Sequence, residues 1–233
     1  IRMLGPRARV IHTGQHWDPA MAGQFFEHFG IGEPHVRLQT VSGAPRGLQV
    51  AHAMTELLEH FTVDRPSAVI VQGDTNSVSA GAQAANYRGI PVVHVEAGLR
   101  SRDRNMPEEI NRLVVGAVAD LHCAPTEDAA ANLRREGVSE SRVLMTGNTV
   151  VESVQHSLGM VDPARWDIPG EPFVLATIHR PENTDDGAAL QRILQDLKRI
   201  GLRVVLALHP RTAAAVDSHG LQHLLQGIDV RSG

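Results

Sequence analysis

The stretch HVEAGLRSRDRNMPEEINR, residues 94–112, places Glu96, Glu108, Glu109, Arg100, Arg102, Arg104 and Arg112 in one strand end, loop and helix start. Ligands of open parallel sheets bind beyond the carboxyl ends of the strands, so Glu96, which follows the apolar run Pro91, Val92, Val93, Val95, would point into a cleft. Pro107 suits the first position of a helix, and Glu108 and Arg112, four residues apart, would share its face. On spacing alone such a pair is a solvated surface contact worth about 0.3 kcal/mol. The strand before it is too apolar to be an edge, and a second acid, Asp74, follows a similar strand upstream. Those two facts favour a site.

Polar clusters close four other apolar runs: Gln15-His16, Gly73-Asp74-Thr75, His179-Arg180 with Glu182-Asn183, and His209-Pro210-Arg211-Thr212. Each has a structural alternative. Asp74 and Thr75 could cap a helix, and one histidine among 13 is more often structural than functional. An imidazole and a guanidinium beside helix N-termini, however, suit phosphate oxygens. The sequence contains no GxSxG, GxxxxGK[ST], HExxH or GxGxxG, which disfavours serine hydrolase, P-loop kinase, zincin and nicotinamide dehydrogenase chemistry. Clustered carboxylates with cationic phosphate binders suit proton transfer on a phosphorylated substrate.

The elements that must position these residues alternate along the chain. Strands are expected at RVIHT (9–13), SAVIVQGD (67–74), PVVHVEAG (91–98), LHCAP (121–125) and RVLMTGN (142–148). Helices are expected over 19–29, 47–61, 80–87, 111–118, 126–135 and 149–158. Apolar strands separated by helices imply a parallel sheet covered on both faces. Asp-Pro, Ile-Pro-Gly and Glu-Pro mark a linker over 159–172. The pattern then restarts with FVLATIHRPEN, a helix over 186–199, VVLALHP and a helix from about 212. The expectation is α/β: one domain over 1–158, and a second, over 173–233, that is cut short.

With 233 residues, 42% hydrophobic and 21% charged, the chain can bury a core. A net charge of −4 argues against nucleic acid or an anionic membrane as the main partner. The single cysteine, Cys123, excludes an internal disulfide and a multi-cysteine zinc site, and fits a cytoplasmic location. No apolar run approaches the roughly 20 residues of a membrane span, and the first residues do not read as a signal peptide.

The strings TGQH (13–16), QGDT (72–75), HVEAGLRS (94–101), RNMPEEINR (104–112), APTE (124–127), TGNTVV (146–151), HRPEN (179–183) and HPRT (209–212) fall in one order over nearly the whole chain. In these strings the chain resembles the non-hydrolysing UDP-N-acetylglucosamine 2-epimerases, which interconvert UDP-GlcNAc and UDP-ManNAc. The resemblance implies two Rossmann-like doubly wound domains hinged around a cleft, the glycogen-phosphorylase-like (GT-B) architecture, with the second domain incomplete here. It implies Asp74, Glu96 and Glu108 as catalytic acids and bases, Arg112 as their organiser and His179 beside the uridine diphosphate. It further implies Gln15, His16, Arg100, Arg180, Glu182, Asn183 and His209 as substrate-binding residues, no cofactor or metal, and a homodimer. The chemistry would be elimination of UDP to 2-acetamidoglucal followed by re-addition, with protons handled on two faces of the sugar.

Members of the family begin with a strand and a Gly-Thr-Arg-Pro-Glu loop and continue to a Ser-Gly-Gly…Glu-Glu segment, both outside this sequence. A polypeptide limited to these residues would therefore be expected to be inactive. Trp17 and Asp18 stand where many bacterial members carry Arg and Glu, so activation by a second UDP-GlcNAc is not expected. The alternatives are a hydrolysing 2-epimerase, an epimerase of a modified UDP-amino sugar, and a catalytically silent nucleotide-sugar-binding protein. Three acids in one cleft argue against the last.

Overall fold

A computed structural model describes residues 4–15, 26, 29–160 and 168–232. The chain packs as two compact units, residues 1–159 and 160–233. The helix expected over 19–29 falls largely outside the described residues, as does the middle of the expected linker, 161–167.

In the first unit β1 (Ile11–His12) and β2 (Val36–Arg37) form a parallel pair. The main sheet runs β3 (Val69–Gln72), β4 (Val92–Val95), β5 (Leu121–Ala124) and β6 (Val143–Met145), all parallel and neighbours in sequence order. Helix α1 (Arg46–Val63) precedes β3; α2 (Asn76–Tyr87), α3 (Pro107–Val118) and α4 (Glu127–Arg135) make the crossovers; α5 (Thr149–Met160) follows β6. Right-handed crossovers between consecutive neighbours place their helices on one face. The register shows which face. Val71, His94, His122 and Val143 stand side by side across the four strands, and all four are buried. Val71 and Val92 pack with Val78, Ala82 and Ala85 of α2 and Val115 of α3, while Ala124 and Val143 pack with Ala129, Ala130 and Leu133 of α4. On the other face Ile70 and Leu144 remain 55% and 49% exposed, so the described helices cover one face of this sheet.

The second unit is a parallel sheet of β7 (Phe173–Thr177), β8 (Arg203–Leu208) and β9 (Asp229–Ser232), in that order. Helices α6 (Pro181–Thr184), α7 (Gly187–Arg199) and α8 (Pro210–Ser218) accompany it. Leu190 and Leu194 of α7 and Val216 of α8 close over Val204 and Leu206. Asp186 caps α7, its Oδ1 accepting the Ala188 N–H at 2.9 Å. The chain is thus α/β with parallel sheets. Helix α2 begins four residues before the expected start, and β2 and β9 were not expected. Among the described residues no helix is long and apolar enough to cross a membrane.

One glycine fixes how the loop after β4 meets α4. Gly98 has φ +84°, and a Cβ added there would lie 2.2 Å from the Ala129 carbonyl oxygen. Asn132 Nδ2 of α4 donates to the Gly98 carbonyl at 2.9 Å. Neither the conformation nor the space admits a side chain. Gly98→Ala is expected to destabilise the first unit by about 3 kcal/mol or more, read as a lowered urea midpoint; an unchanged midpoint would refute this account of the contact.

Candidate active site

The carboxyl ends of β3 and β4 lie side by side, and the loops leaving them carry Asp74 and Glu96. The two turns are tied together: the Gly73 N–H donates to the Val95 carbonyl at 3.0 Å, and buried His94 donates from Nε2 to the Gly73 carbonyl at 2.9 Å. Burial, first among the causes, holds His94 below the usual imidazole range. Glu96 adopts φ +66°, a left-handed conformation uncommon outside glycine. A Cβ built on Gly73 would lie 3.9 Å from Glu96 Oε2, which puts the carboxyl over the β3 turn.

Arg112 organises this corner from the second turn of α3. Its guanidinium donates to Asp74 Oδ2 at 2.5 Å and to Glu109 Oε2 at 2.9 Å. Glu109 is 2% exposed. Its carboxylate also accepts the Ser101 N–H at 2.9 Å and the Arg102 N–H at 3.0 Å. Burial pushes the Glu109 pKa up, but the hydrogen bonds from the Ser101 N–H, from Arg112 and from the Arg102 N–H outweigh it and hold the group at about 2. Asn111 Nδ2 donates to the Asp74 carbonyl at 2.9 Å and to Asn76 Oδ1 at 3.2 Å, and Asn76 Nδ2 continues to Gln49 Oε1 at 2.8 Å.

Glu96 differs from its neighbours. Among the described residues its carboxyl makes no side-chain hydrogen bond and no ion pair, whereas Asp74, Glu108 and Glu109 each have partners. Burial raises its pKa first, the negative charge of Asp74 adds to that, and Arg112 opposes it. A half-buried carboxyl pushed upward beside an ion pair is a candidate proton donor and acceptor near neutral pH.

The structure corrects one pairing. Glu108, four residues before Arg112, instead meets Arg46 at the start of α1, at 3.2 Å. The partner of Arg112 on its own helix is Glu109, three residues away. Glu109, Arg46, Asn111 and Asn76 were absent from the candidate set. Only the Glu109–Arg112 spacing carried a signal, since residues three apart also face each other on a helix.

The remaining candidates disperse. Gln15 Oε1 accepts the Ser77 N–H at 2.9 Å and its hydroxyl at 2.8 Å, beside a cavity of about 220 Å³ that Thr13 and Thr75 also line. His16 lies outside the described residues. Arg100 is not part of the Asp74 corner. Its side chain is 4% exposed and grips Glu136 at 2.8 and 2.6 Å. In the second unit the His179 and His209 rings follow adjacent strands and stand 5.4 Å apart. His209 Nδ1 caps α8 through the Arg211 N–H at 3.1 Å. Arg180 and Glu182 form an exposed pair at 3.7 Å, and the Asn183 N–H donates to the Arg180 carbonyl at 3.0 Å. Among the described residues no group of three or more His, Cys, Asp or Glu side chains is placed to hold a metal ion.

Glu109→Gln removes the charge that holds both the loop and Arg112. A loss of about 3 kcal/mol is expected at pH 7, the cost of breaking a buried ion pair. Because the Glu109 pKa is depressed, the wild-type advantage is complete above 4.5 and fades as pH falls through about 2. Urea midpoints of both proteins at pH 7 and near 2 check this; a gap that persists unchanged at the lower pH would contradict it.

Known proteins match this chain over nearly its whole length. The family model described as UDP-N-acetylglucosamine 2-epimerase matches residues 5–231. The chain is 38% identical over 229 residues to the UDP-2,3-diacetamido-2,3-dideoxy-D-glucuronate 2-epimerase of Pseudomonas aeruginosa, covering 94% of this chain and 63% of that protein. It is 37% identical over 223 residues to the UDP-N-acetylglucosamine 2-epimerase of Methanocaldococcus jannaschii, covering 91% of this chain and 61% of that protein. A solved structure of the Methanocaldococcus jannaschii enzyme with UDP-GlcNAc and UDP superposes with a TM-score of 0.85 at 34% identity, over 96% of this chain and 65% of that one. The chain thus spans less than two thirds of the length of these relatives. With a matching family model over almost its whole length, the chain belongs to the UDP-N-acetylglucosamine 2-epimerase family.

Proposed function

We propose that this chain carries the acid–base half of a UDP-N-acetylglucosamine 2-epimerase, interconverting UDP-GlcNAc and UDP-ManNAc. The observation that carries the reading is the unpartnered, upward-shifted Glu96 beside Asp74, whose carboxylate Arg112 holds. The C2 proton of the sugar is not next to a carbonyl, so direct deprotonation is unfavourable. Breaking the anomeric C1–O bond first, with the electron pair leaving on UDP, gives C1 oxocarbenium character and acidifies C2–H. A carboxylate takes that proton and the C1=C2 bond of 2-acetamidoglucal forms. Returning a proton to the other face of C2, with a UDP oxygen re-adding at C1, inverts the centre and balances the sequence. Two faces need two proton-handling groups. Glu96 is one, and Glu108 or Asp74 the other. His179, Arg180, Glu182, Asn183 and His209 are proposed for the diphosphate and uridine, supported by their place at the ends of β7 and β8. Gln15, His16 and Arg100 remain in the proposal from family resemblance alone, and the grip of Glu136 on Arg100 supports a structural role for that residue.

A second reading rests on the Pseudomonas aeruginosa relative, whose name specifies an epimerase of a diacetamido-glucuronate. The same cluster would perform the same elimination on that UDP-sugar. Family resemblance also supports a cytoplasmic homodimer serving polysaccharide synthesis.

Proton NMR of UDP-GlcNAc in D2O with the product of the complete gene tests the proposal. UDP-ManNAc deuterated at C2 is expected. Free ManNAc with UDP would indicate the hydrolysing type, and an unchanged spectrum beside turnover of the diacetamido-glucuronate would establish the second reading. Inertness toward both would sink the epimerase assignment. In that assay Glu96→Gln and Glu108→Gln are each expected to slow turnover by about 10² or more while UDP binding stays nearly intact. Wild-type rates in both variants would remove the carboxylates from the mechanism.

A further inference from the structure

The loop that holds Glu109 also forms one wall of a separate cavity. It measures about 310 Å³ and is lined by Arg100, Arg102, Arg104 and Arg135, with Glu109, Glu136, Asn132 and Leu113. None of Asp74, Glu96, Glu108 and Arg112 lines it. Four arginines and two glutamates line it, and both carboxylates are already engaged. Glu136 receives two hydrogen bonds from Arg100. Glu109 is satisfied by Arg112 and two backbone N–H groups. Asp103, between the two loop arginines, accepts the Asn105 N–H at 2.9 Å. That leaves Arg102 and Arg104, whose side chains make no hydrogen bond or ion pair among the described residues, and Arg135, which donates only to the Asn132 amide oxygen. Three arginines without a counter-charge among the described residues thus line one cavity of a chain whose net charge is −4.

We infer that this cavity is an anion site for a compact polyanion of the diphosphate class. Guanidinium forks match phosphoryl oxygens in pairs, and several of them around one cavity favour a multiply charged group over a single carboxylate. The only apolar residue in the lining is Leu113. No aromatic or broad apolar wall is present to hold a base or sugar, so recognition falls on the charged group. The shared chemistry is a diphosphate, whether free or carried by a nucleotide. The cavity contains none of the residues assigned to proton transfer, and of those proposed for substrate only Arg100, already engaged by Glu136, lines it.

Isothermal titration of inorganic pyrophosphate into this chain at low salt tests it. Saturable binding is expected for the wild type. It should weaken by about tenfold or more in the Arg102→Gln/Arg104→Gln double variant, because charge-assisted bonds carry the affinity. Arg199→Gln, on the second unit where the arginine is exposed and paired with Asp196, should leave it unchanged. Both loop side chains lack partners, so the double variant should melt with the wild type; Arg104→Gln alone serves as a milder second variant, expected to weaken binding in part. If UDP abolishes the difference in pyrophosphate affinity between the wild type and the double variant, the nucleotide is a source of the anion, and if the difference persists the source is free phosphate; either outcome supports the site. Wild-type affinity in both loop variants, greater loss in Arg199→Gln than in the double variant, or no saturable binding up to about 10 mM, where affinity falls below roughly 3 kcal/mol, would overturn it.

Discussion

Burial of the Glu109 carboxylate is the constraint on which the acid–base corner depends. A charged group at 2% exposure persists only if its lone pairs are filled. Here the donors come from two directions: the backbone N–H groups of Ser101 and Arg102 in the loop, and the guanidinium of Arg112 one turn along α3. The same guanidinium reaches Asp74 on the neighbouring strand end. Loop, helix and β3 turn are therefore not independent. Moving any one of them strips a donor or an acceptor from a poorly hydrated charge, which costs far more than a surface pair of the same geometry returns.

The beginning of α3 shows how the loop obtains this arrangement. Met106 precedes Pro107 and offers no side-chain cap. Glu109 is the third residue of the helix, the position from which a glutamate commonly reaches back to its own cap residue. Instead it reaches to residues 101 and 102 and folds the loop onto the helix end. A negative charge in the first turn also suits the helix dipole. The left-handed φ of +62° at Arg102 is held by this contact, since its N–H is one of the donors.

Most of the framework was legible because it rests on local signals. Apolar runs closed by Gly73-Asp74 and by Glu96-Ala97-Gly98 gave β3 and β4, and Thr126 announced α4, its hydroxyl accepting the Ala129 N–H at 3.2 Å. What escaped depends on tertiary contact. Asn76 is of the type that caps helices, yet it is buried in the first turn of α2, where Asn111 and Gln49 satisfy its amide. Glu108 and Glu109 lie at equally plausible helical spacings from Arg112. The choice between them is made by Arg46, 62 residues upstream of Glu108 in sequence, and by the loop amides, neither of which helical periodicity can register. Strand β9 begins with Asp229 and carries Arg231, which hid it; Asp229 pairs with Arg231 and with Arg203 of β8.

The distribution of partners among the acids supplies the last step. Asp74, Glu96 and Glu109 gather about Arg112, with Glu108 beside Glu109 at the start of α3, and three of these acids are restrained: Asp74 and Glu109 by Arg112, Glu108 by Arg46. Glu96 alone is left without a hydrogen-bonded counter-charge, on a backbone twisted to φ +66°. A left-handed non-glycine residue costs on the order of 1 kcal/mol and persists only where surrounding contacts fix it. Here the Ala97 N–H to Cys123 carbonyl bond, at 3.0 Å, and the glycine-only packing of Gly98 on α4 hold the residues that follow. If Glu96 were merely structural, an extended backbone and a paired carboxyl would be the more stable solution. Strain and missing partner together support the proposed role of Glu96 in proton transfer, with Asp74 close enough to raise its pKa and Arg112 close enough to limit the rise.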